Sequence, residues 1–390
     1  MLTPHRYLLT ALLFIFLGLS VSAQYGPDNP PQPGQGDNPA NAGQQMKVPD
    51  YIKPGFQMTY MGGHYLDTGD SKQAATTGMG FTVFTVLAVT KEKVLLSATN
   101  YLTPGGLPIN PDGSFDPDTD ANAQLSASNS YGITQQTVNS GAAMWMPVDR
   151  LKQWKSGGKV KVQKLLRTYQ GETVQALTIA YEDDDSGHSS DFHTGNGMKL
   201  EYLSGLKNGK RASQMQLLDT KQINSPLVGA KWPDWAKTVK TMNYSGTYTM
   251  ATVGIDPLVT KISSEVKFTE RGDGYAIGKA TLNRQGNAAG SSVVMEGPGT
   301  MFGYWIHPDI LAKLAEGIVE ENKITRTKTT YQVQQGNLGK LGVFVHSNTK
   351  NTFYAVNAYN LQTGALAYIN IHTGDTGITV EFKLEGIASE

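Results

Sequence analysis

The chain has 390 residues, with 33 Lys and Arg against 33 Asp and Glu, so its formal net charge at pH 7 is zero. This balance gives no electrostatic attraction to nucleic acid or to an anionic membrane surface, and we expect neither as a partner. The absence of cysteine excludes disulfide bonds and a lipid anchor attached through Cys. The chain is long enough to bury one or two hydrophobic cores.

The N-terminus predicts a secretory signal peptide over residues 1–23. A short cationic start, an apolar run over residues 7–19 and small residues at Val21 and Ala23 match the three parts of such a signal. The apolar run is too short for a membrane-spanning helix, which needs about 20 residues. We therefore expect cleavage near Ala23, export to a bacterial periplasm or to the exterior, and no integral membrane segment in the mature protein.

The mature chain is predicted to begin with a disordered tether and to continue as a β-rich repeat. Residues 24–47 are rich in Pro, Gly, Asn and Gln and contain few large apolar side chains. Residues 48–221 alternate Val-, Phe- and Thr-rich segments with turn signals, as an antiparallel meander does. One helix is predicted there, over residues 147–154, with Gly157 behind it. A polar loop insertion at 104–144 interrupts the repeat, and so long a loop is usually functional or disordered.

A second β-rich repeat follows, over residues 243–390, after an inter-repeat junction at 222–242. Its strand signals have the same order as those of the first repeat. Its one helix is predicted over residues 308–316, where Ile310, Leu311 and Leu314 share a face, and Gly317 is predicted to stop it.

Short segments recur in the same order in both halves. They are residues 49–53 and 233–237, the Trp-initiated segments 145–151 and 305–311, and the pairs Arg167-Thr168 and Arg326-Thr327. Recurrence of this kind predicts tandem homologous repeats. The predicted fold is thus mainly β, of the α+β class, with each repeat a curved antiparallel sheet covered by one packed amphipathic helix.

A run of acidic residues suggests one candidate metal site. Asp183, Asp184 and Asp185 precede His188, and carboxylate with imidazole can hold a divalent cation, the one cofactor the sequence suggests. The alternative is an ordinary solvated hairpin tip between two strands. The alternating Asp116, Asp118 and Asp120 also resemble a calcium loop, but Ala121 and Ala127 stand where an EF-hand needs Gly and Glu.

Motifs of catalysis are not found in the sequence. Gly69-Asp70-Ser71 lacks the buried strand that would position a nucleophilic serine, and neither G-x-S-x-G nor H-E-x-x-H occurs. A nucleophile and base brought together only in three dimensions remains an open alternative.

The tryptophans are the candidate ligand-binding residues. Trp145 and Trp305 each precede a predicted helix, where they either fill the core or contact a ligand. Trp232 and Trp235 flank the junction between the halves, where they either join the halves or line a cleft.

The order of strands, one helix and further strands in an exported chain resembles the LolA-like lipoprotein carriers of the periplasm. This resemblance implies a curved sheet with a concave apolar face. We expect a non-enzymatic binding protein for an apolar or lipid-like molecule. The alternatives are a structural protein that contacts other components of the cell envelope, and a hydrolase or metal-dependent enzyme that uses the 104–144 insertion.

Overall fold

The computed structural model describes residues 48–67, 74–91, 93–103, 131–137, 144–182, 186–206, 211–252, 255–348, 353–373 and 377–389. Most of these residues lie in strands, which form two antiparallel sheets. The prediction of a mainly β protein is confirmed. None of the helices in the described ranges has both the length and the apolar character that a transmembrane helix requires.

The first sheet has nine strands in the spatial order β4-β3-β2-β1-β9-β8-β7-β6-β5. Their bounds are β1 (Phe56–Asp67), β2 (Ala74–Val89), β3 (Lys93–Thr103), β4 (Tyr131–Thr137), β5 (Val160–Tyr169), β6 (Glu172–Glu182), β7 (Ser186–His193), β8 (Lys199–Leu206) and β9 (Arg211–Gln222). The last strand, β9, returns to pair with the first, with Met58 opposite Thr220.

The second sheet has ten strands in the spatial order β13-β12-β11-β10-β19-β18-β17-β16-β15-β14. Their bounds are β10 (Val239–Thr252), β11 (Ile255–Gly272), β12 (Tyr275–Arg284), β13 (Asn287–Glu296), β14 (Gly317–Asn322), β15 (Thr327–Gly336), β16 (Gly339–Asn348), β17 (Phe353–Asn360), β18 (Leu366–Thr373) and β19 (Ile378–Ser389). Here too the last strand pairs with the first, with Tyr248 opposite Val380.

The helices are shorter than predicted. Helix α1 (Val148–Leu151) is a single turn, and α2 (Pro308–Lys313) ends where Leu314 becomes extended. A 3-10 helix, η1 (Asp234–Lys237), lies between the sheets in sequence. Gly317, which was predicted to stop the helix, instead opens strand β14, which pairs with β15 and which the sequence pattern did not predict.

Two further details differ from the sequence analysis. Strand β4 lies within the 104–144 insertion, which was predicted to be a loop. The candidate residues Asp116, Asp118 and Asp120 of the same insertion lie outside the described residues, and so does Gly69-Asp70-Ser71. The two Arg-Thr pairs do not correspond, because Arg167-Thr168 lies near the end of β5 whereas Arg326-Thr327 lies at the start of β15. Strands β5 and β15 hold the same place in their sheets, so the two pairs lie at opposite ends of equivalent strands.

Other contacts recur in the two sheets at matching positions. The recurring pairs are the bridges Trp145–Met198 and Trp305–Ala365, the side-chain bonds Tyr51–Asn196 O and Trp235–Thr363 O, the side-chain bonds Tyr60–Lys199 O and Tyr244–Leu366 O, and the backbone bonds Met146 N–Gly197 O and Ile306 N–Gly364 O. Both backbone bonds measure 2.8 Å. The turns before Gly197 and Gly364 thus hold the segment that leads into each helix in the same way.

The first sheet is strongly curved. Tyr169 at the end of β5 shares a hydrogen bond of 2.8 Å with Thr220 of β9, and Gln170 donates to Asp219 over 2.8 Å. These strands are four places apart in the sheet, so a flat sheet would separate them by about 19 Å. The curvature encloses a core that contains Met58, Tyr60 and Trp145.

The two sheets pack against each other through polar and apolar contacts. Leu87 and Leu95 of the first sheet share a buried cluster with Ile277 and Met295 of the second. The backbone N–H of Gly299 donates to Leu87 O over 2.7 Å, an approach that a Cβ at position 299 would block. Close backbone contact therefore fixes the position of β2 against the segment that follows β13, and Leu95 of β3 adds a side-chain contact.

Candidate functional site

A cavity of about 250 Å³ lies between the two sheets. Its lining residues come from β1, β2 and β3 on one side, and from β13, the segment leading to α2 and strands β14 to β18 on the other. Small-molecule sites commonly lie at such junctions between folded units. We therefore treat this cavity as the candidate functional site.

The first wall of the cavity follows from the two-residue period of β2 and β3. Side chains of a strand point alternately to opposite faces. Those that line the cavity are Val83, Thr85, Leu87, Ser97, Thr99 and Tyr101. Their immediate neighbours Phe84, Val86, Leu96 and Ala98 belong to the core of the first sheet. Both faces of these strands are therefore covered, which explains the dense apolar composition of this region.

The second wall combines the end of β13 with the inner face of β16 to β18. Met295 of β13 and Phe302 of the segment before α2 contribute apolar surface, and Ile369 and Ile371 contribute it from β18. Asn357 of β17 adds an amide. Most of this wall is apolar, so each buried polar group in it requires a hydrogen-bond partner.

Gln57 supplies a buried acceptor without a protein partner. Its side chain is 7% exposed and lines the cavity. Its Nε2 donates to Thr85 Oγ1 over 3.0 Å, while its Oε1 has no hydrogen-bond partner among the described residues. Leaving a buried acceptor unpaired costs about 1–3 kcal/mol. The atom itself is fully enclosed, so its unpaired state is a cost within the wall and not a contact point for a molecule in the cavity.

Glu296 places a carboxyl group in the same cavity. It is 2% exposed, and one of its oxygens accepts the backbone N–H of Tyr304 over 2.7 Å. Burial raises the pKa of Glu296 to about 8, against the smaller opposing effect of that hydrogen bond. A Cβ at Gly303 would overlap the carboxyl group, so the glycine leaves the space that Glu296 occupies.

His346 joins the two sheets at another part of the lining. Its Nε2 shares a hydrogen bond of 3.0 Å with the Tyr101 hydroxyl of the first sheet, and its Nδ1 shares one of 3.0 Å with Thr329. Burial lowers the pKa of His346 to about 4, so the imidazole is neutral at physiological pH. Both ring nitrogens have hydrogen-bond partners within the protein, so His346 links the two sheets and has no nitrogen left to bond a ligand.

The predicted tryptophan site is divided between two cores. Trp145 lies in the core of the first sheet, while Trp232 and Trp235 contact Trp305 edge-on in the second core, with ring centroids 5.1 and 5.8 Å away. None of the four is among the described residues that line the cavity. Trp235 also donates to Thr363 O over 2.7 Å, which anchors the junction to the β17–β18 turn.

The predicted metal site is described only in part. Asp183, Asp184 and Asp185 lie outside the described residues, while His188 of β7 contacts the ring of Tyr181. Across the described ranges, no three His, Asp or Glu side chains form a group that could hold a metal ion. Nearby, Asp191 and Glu201 both pair with Arg167 at 2.6 and 3.3 Å, so these two carboxylates have a cationic partner.

The sequence analysis did not identify Gln57, Glu296 or His346. A signal was present for two of them, because Glu296 ends the apolar run Val293-Val294-Met295 just before Gly297-Pro298-Gly299, and His346 ends the run Val343-Phe344-Val345. A polar residue that interrupts an apolar strand is expected to be paired or functional. Gln57 gave no comparable signal.

The chain was compared with known proteins. No family model matches it, and no curated protein matches it. Among solved structures, it is similar to the MucA/MucB complex of Pseudomonas aeruginosa, at 10% identity over 87% of this chain and 94% of that chain, with a TM-score of 0.22. A DUF3598-family protein of unknown function from Nostoc punctiforme has 9% identity over 85% and 95% of the two chains, with a TM-score of 0.19.

A third similar structure is transferrin binding protein B from Haemophilus parasuis. It has 9% identity over 87% of this chain and 79% of that chain, with a TM-score of 0.15. A shared fold does not follow from TM-scores of this size, and the resemblance to LolA-like carriers stays a prediction.

Proposed function

We propose that this protein is a non-enzymatic binding protein that holds one small, largely apolar molecule in the cavity between its sheets. The observation that carries the proposal is the cavity of about 250 Å³ that lies between the two sheets. Apolar side chains such as Leu87, Met295 and Ile369 line it and favour an apolar ligand.

The volume limits the size of the ligand. Typical drug-sized ligands occupy sites of about 300–1,000 Å³, so a cavity at the lower limit suits a compact molecule. A cavity of this volume supports a ligand of a single ring or a short chain. The lipid-like ligand expected from the sequence is therefore limited to such a small apolar molecule and is not a whole lipid.

Filling the cavity tests the proposal. Ser97 lines the cavity from the middle of β3, so Ser97→Leu should occupy ligand space and lower the affinity for a small apolar probe by about tenfold or more. The protein is purified under native conditions, extracted with solvent and analysed by mass spectrometry, and probe binding is measured by calorimetry. Ser263→Leu, on an exposed position of β11, is the matched control.

Two results would contradict the binding function. One is that wild-type protein yields no co-purifying molecule and binds no apolar probe. The other is that Ser97→Leu binds the probe as tightly as Ser263→Leu does, which would place binding elsewhere.

We further propose that the two sheets derive from one duplicated unit, with boundaries at residues 48–221 and 243–390. The matching contacts around Gly197 and Gly364 support this, as do the equivalent hydroxyl bonds of Tyr60 and Tyr244. Limited proteolysis that cuts readily within the repeats but not between them would contradict these boundaries.

We place the protein in the periplasm or outside a bacterial cell. This proposal rests on the signal-like residues 1–23 and the cysteine-free sequence. N-terminal sequencing of the exported chain should find Gln24 first, and a cytoplasmic chain that retains Met1 would contradict it.

A further inference from the structure

The wall of the cavity that β3 forms carries two hydroxyl groups side by side. Ser97 and Thr99 both line the cavity, and both are half-buried. They lie two residues apart on one strand, so their side chains point to the same face with Cα atoms about 7 Å apart. Neither hydroxyl has a hydrogen-bond partner in the described part of the chain. Each is therefore available to donate to, or accept from, a molecule in the cavity.

Thr85 of β2 extends this polar surface across the sheet. It lies directly opposite Ser97 in the strand register, and side chains in such pairs have Cβ atoms about 4.5–5.5 Å apart. The Thr85 hydroxyl oxygen accepts the Gln57 amide over 3.0 Å, so its own O–H is directed elsewhere. Thr85, Ser97 and Thr99 occupy adjoining places on two strands, and we call them the hydroxyl patch.

The second wall of the cavity contributes aliphatic side chains. Ile369 and Ile371 lie two residues apart on β18, and both line the cavity. The two walls meet where the Tyr101 hydroxyl of β3 bonds to His346 over 3.0 Å. His346 shares a row of the second sheet with Ile371, two strands away. A molecule that fills the cavity therefore has hydroxyl groups on one side and aliphatic side chains on the other.

The lining offers little to a charged ligand. Among the described lining residues there is no Lys or Arg, so a carboxylate or phosphate would be buried without a cationic partner. The two acidic lining residues are Glu296 and Glu320. Glu320 is paired with Lys221 at 2.8 Å. Burial raises the pKa of Glu296 to about 8, so that carboxyl group is mostly protonated and uncharged at neutral pH.

We propose that the cavity binds a compact uncharged molecule with a hydroxyl or carbonyl oxygen, which bonds to the hydroxyl patch while the apolar remainder contacts Ile369 and Ile371. This inference rests on the proposed binding function and specifies its ligand class. Ser97 and Thr99 can each donate or accept, so an alcohol, a phenol or a ketone suits them. Such hydrogen bonds replace bonds to water and add modest affinity, so the patch mainly selects among apolar molecules of similar size.

Two probes of the same shape, benzyl alcohol and ethylbenzene, test the role of the hydroxyl patch on the full-length protein. The double variant Ser97→Ala with Thr99→Val removes two hydroxyls and changes side-chain volume little. Calorimetry should find benzyl alcohol bound about fivefold more weakly by this variant, because it loses a hydrogen bond. Ethylbenzene should bind as tightly as before or more tightly. The matched control is Ser263→Ala with Thr269→Val, at exposed positions of β11, which should alter neither affinity.

Benzylamine and benzoate test the preference for an uncharged ligand on wild-type protein, which needs no variant to fold. At about pH 7 both should bind about tenfold or more weakly than benzyl alcohol, because each buries a charge that the lining does not balance.

The outcomes separate this inference from the binding function. An unchanged affinity of the double variant for benzyl alcohol, or an equal loss for ethylbenzene, would overturn the role of the hydroxyl patch. Benzylamine or benzoate binding as tightly as benzyl alcohol would overturn the uncharged ligand class. In each of these cases a probe that binds wild-type protein and is lost in Ser97→Leu leaves the binding function intact. Failure of all four probes, with no co-purifying molecule, would overturn the binding function itself.

Discussion

Lys199 is a charged side chain buried within the first sheet. It is 2% exposed, and its Nζ lies 5.5 Å from the ring centroid of Phe192 and 5.3 Å from that of Tyr202. Burial lowers the pKa of Lys199 to about 7. Its backbone carbonyl accepts from Tyr60, the role that Leu366 has for Tyr244 in the second sheet. The rings of Phe192 and Tyr202 form an apolar surrounding for the Lys199 side chain.

Replacing Lys199 with leucine should therefore stabilise the protein. Because its pKa is lower in the folded than in the unfolded chain, the unfolded chain binds more protons between about pH 7 and 10.5, and wild-type stability should rise with pH across that window. Lys199→Leu should remove this slope and raise the free energy of unfolding by about 2 kcal/mol at neutral pH. Urea unfolding measures both effects, with exposed Lys164→Leu as the control. A loss of stability with the slope unchanged would contradict the assignment.

The turns before β8 and β18 determine where the two helix-leading segments lie. Gly364 has a φ of +74°, and a Cβ there would overlap the carbonyl oxygen of Ile306. The backbone N–H of Ile306 in turn donates to the carbonyl oxygen of Gly364. Gly197 repeats this arrangement against Met146. These glycines serve both the left-handed turn and the close approach of a second backbone. That second role is visible only once the segments are placed together.

Two glycine substitutions separate these roles. Gly339 has a φ of +88° but no atom near its added Cβ. Gly339→Ala should therefore report backbone strain alone, and Gly364→Ala should lower the free energy of unfolding by about 2 kcal/mol more. Chemical denaturation measures both variants. Equal losses would show that the contact with Ile306 adds nothing beyond the turn.

The two sheets differ most in what covers the outer face of their first three strands. In the first sheet, Thr85 pairs with Gln57 and Ser97, and this face is buried against the second sheet. In the second sheet, Lys267 pairs with Thr241 and Lys279 at the same places in the pattern. Both lysines are exposed. The matching face of the first sheet is uncharged and packs against the second sheet. The exposed lysines on the face of the second sheet thus oppose the packing of a further sheet there.

Replacing the charged residues on that face of the second sheet with the matching residues of the first sheet should cause molecules of the protein to associate. The substitutions Ser263→Phe, Glu265→Val, Lys267→Thr and Asn283→Tyr install the residues found at the matching positions Phe81, Val83, Thr85 and Tyr101. Sedimentation velocity should show concentration-dependent oligomers, because an exposed apolar sheet face seeks a partner. The control, Glu265→Lys with Lys267→Glu, keeps the face charged and should sediment as wild type. A monomeric fourfold variant would show that these charges do not limit assembly.

The sequence alone determined the local features of this protein. Apolar and β-branched residues between turn signals predicted the strands, because side-chain period is a property of short segments. The recurring Trp145 and Trp305 segments led to the matching places in the two sheets. The helices were overestimated and β14 was not predicted, because strand pairing decides the state of a short segment with mixed propensity.

The tertiary structure decided where the candidate site lies. Gln57, Glu296 and His346 belong to different strands, far apart in sequence, and only the packing of one sheet on the other brings them to one cavity. Trp232 and Trp235 do not line that cavity, because their rings pack against Trp305 in the second core. Burial, and not residue type, gives Glu296 its raised pKa and leaves Gln57 Oε1 unpaired, because the loss of water changes the energy of a polar group only once neighbouring elements exclude that water.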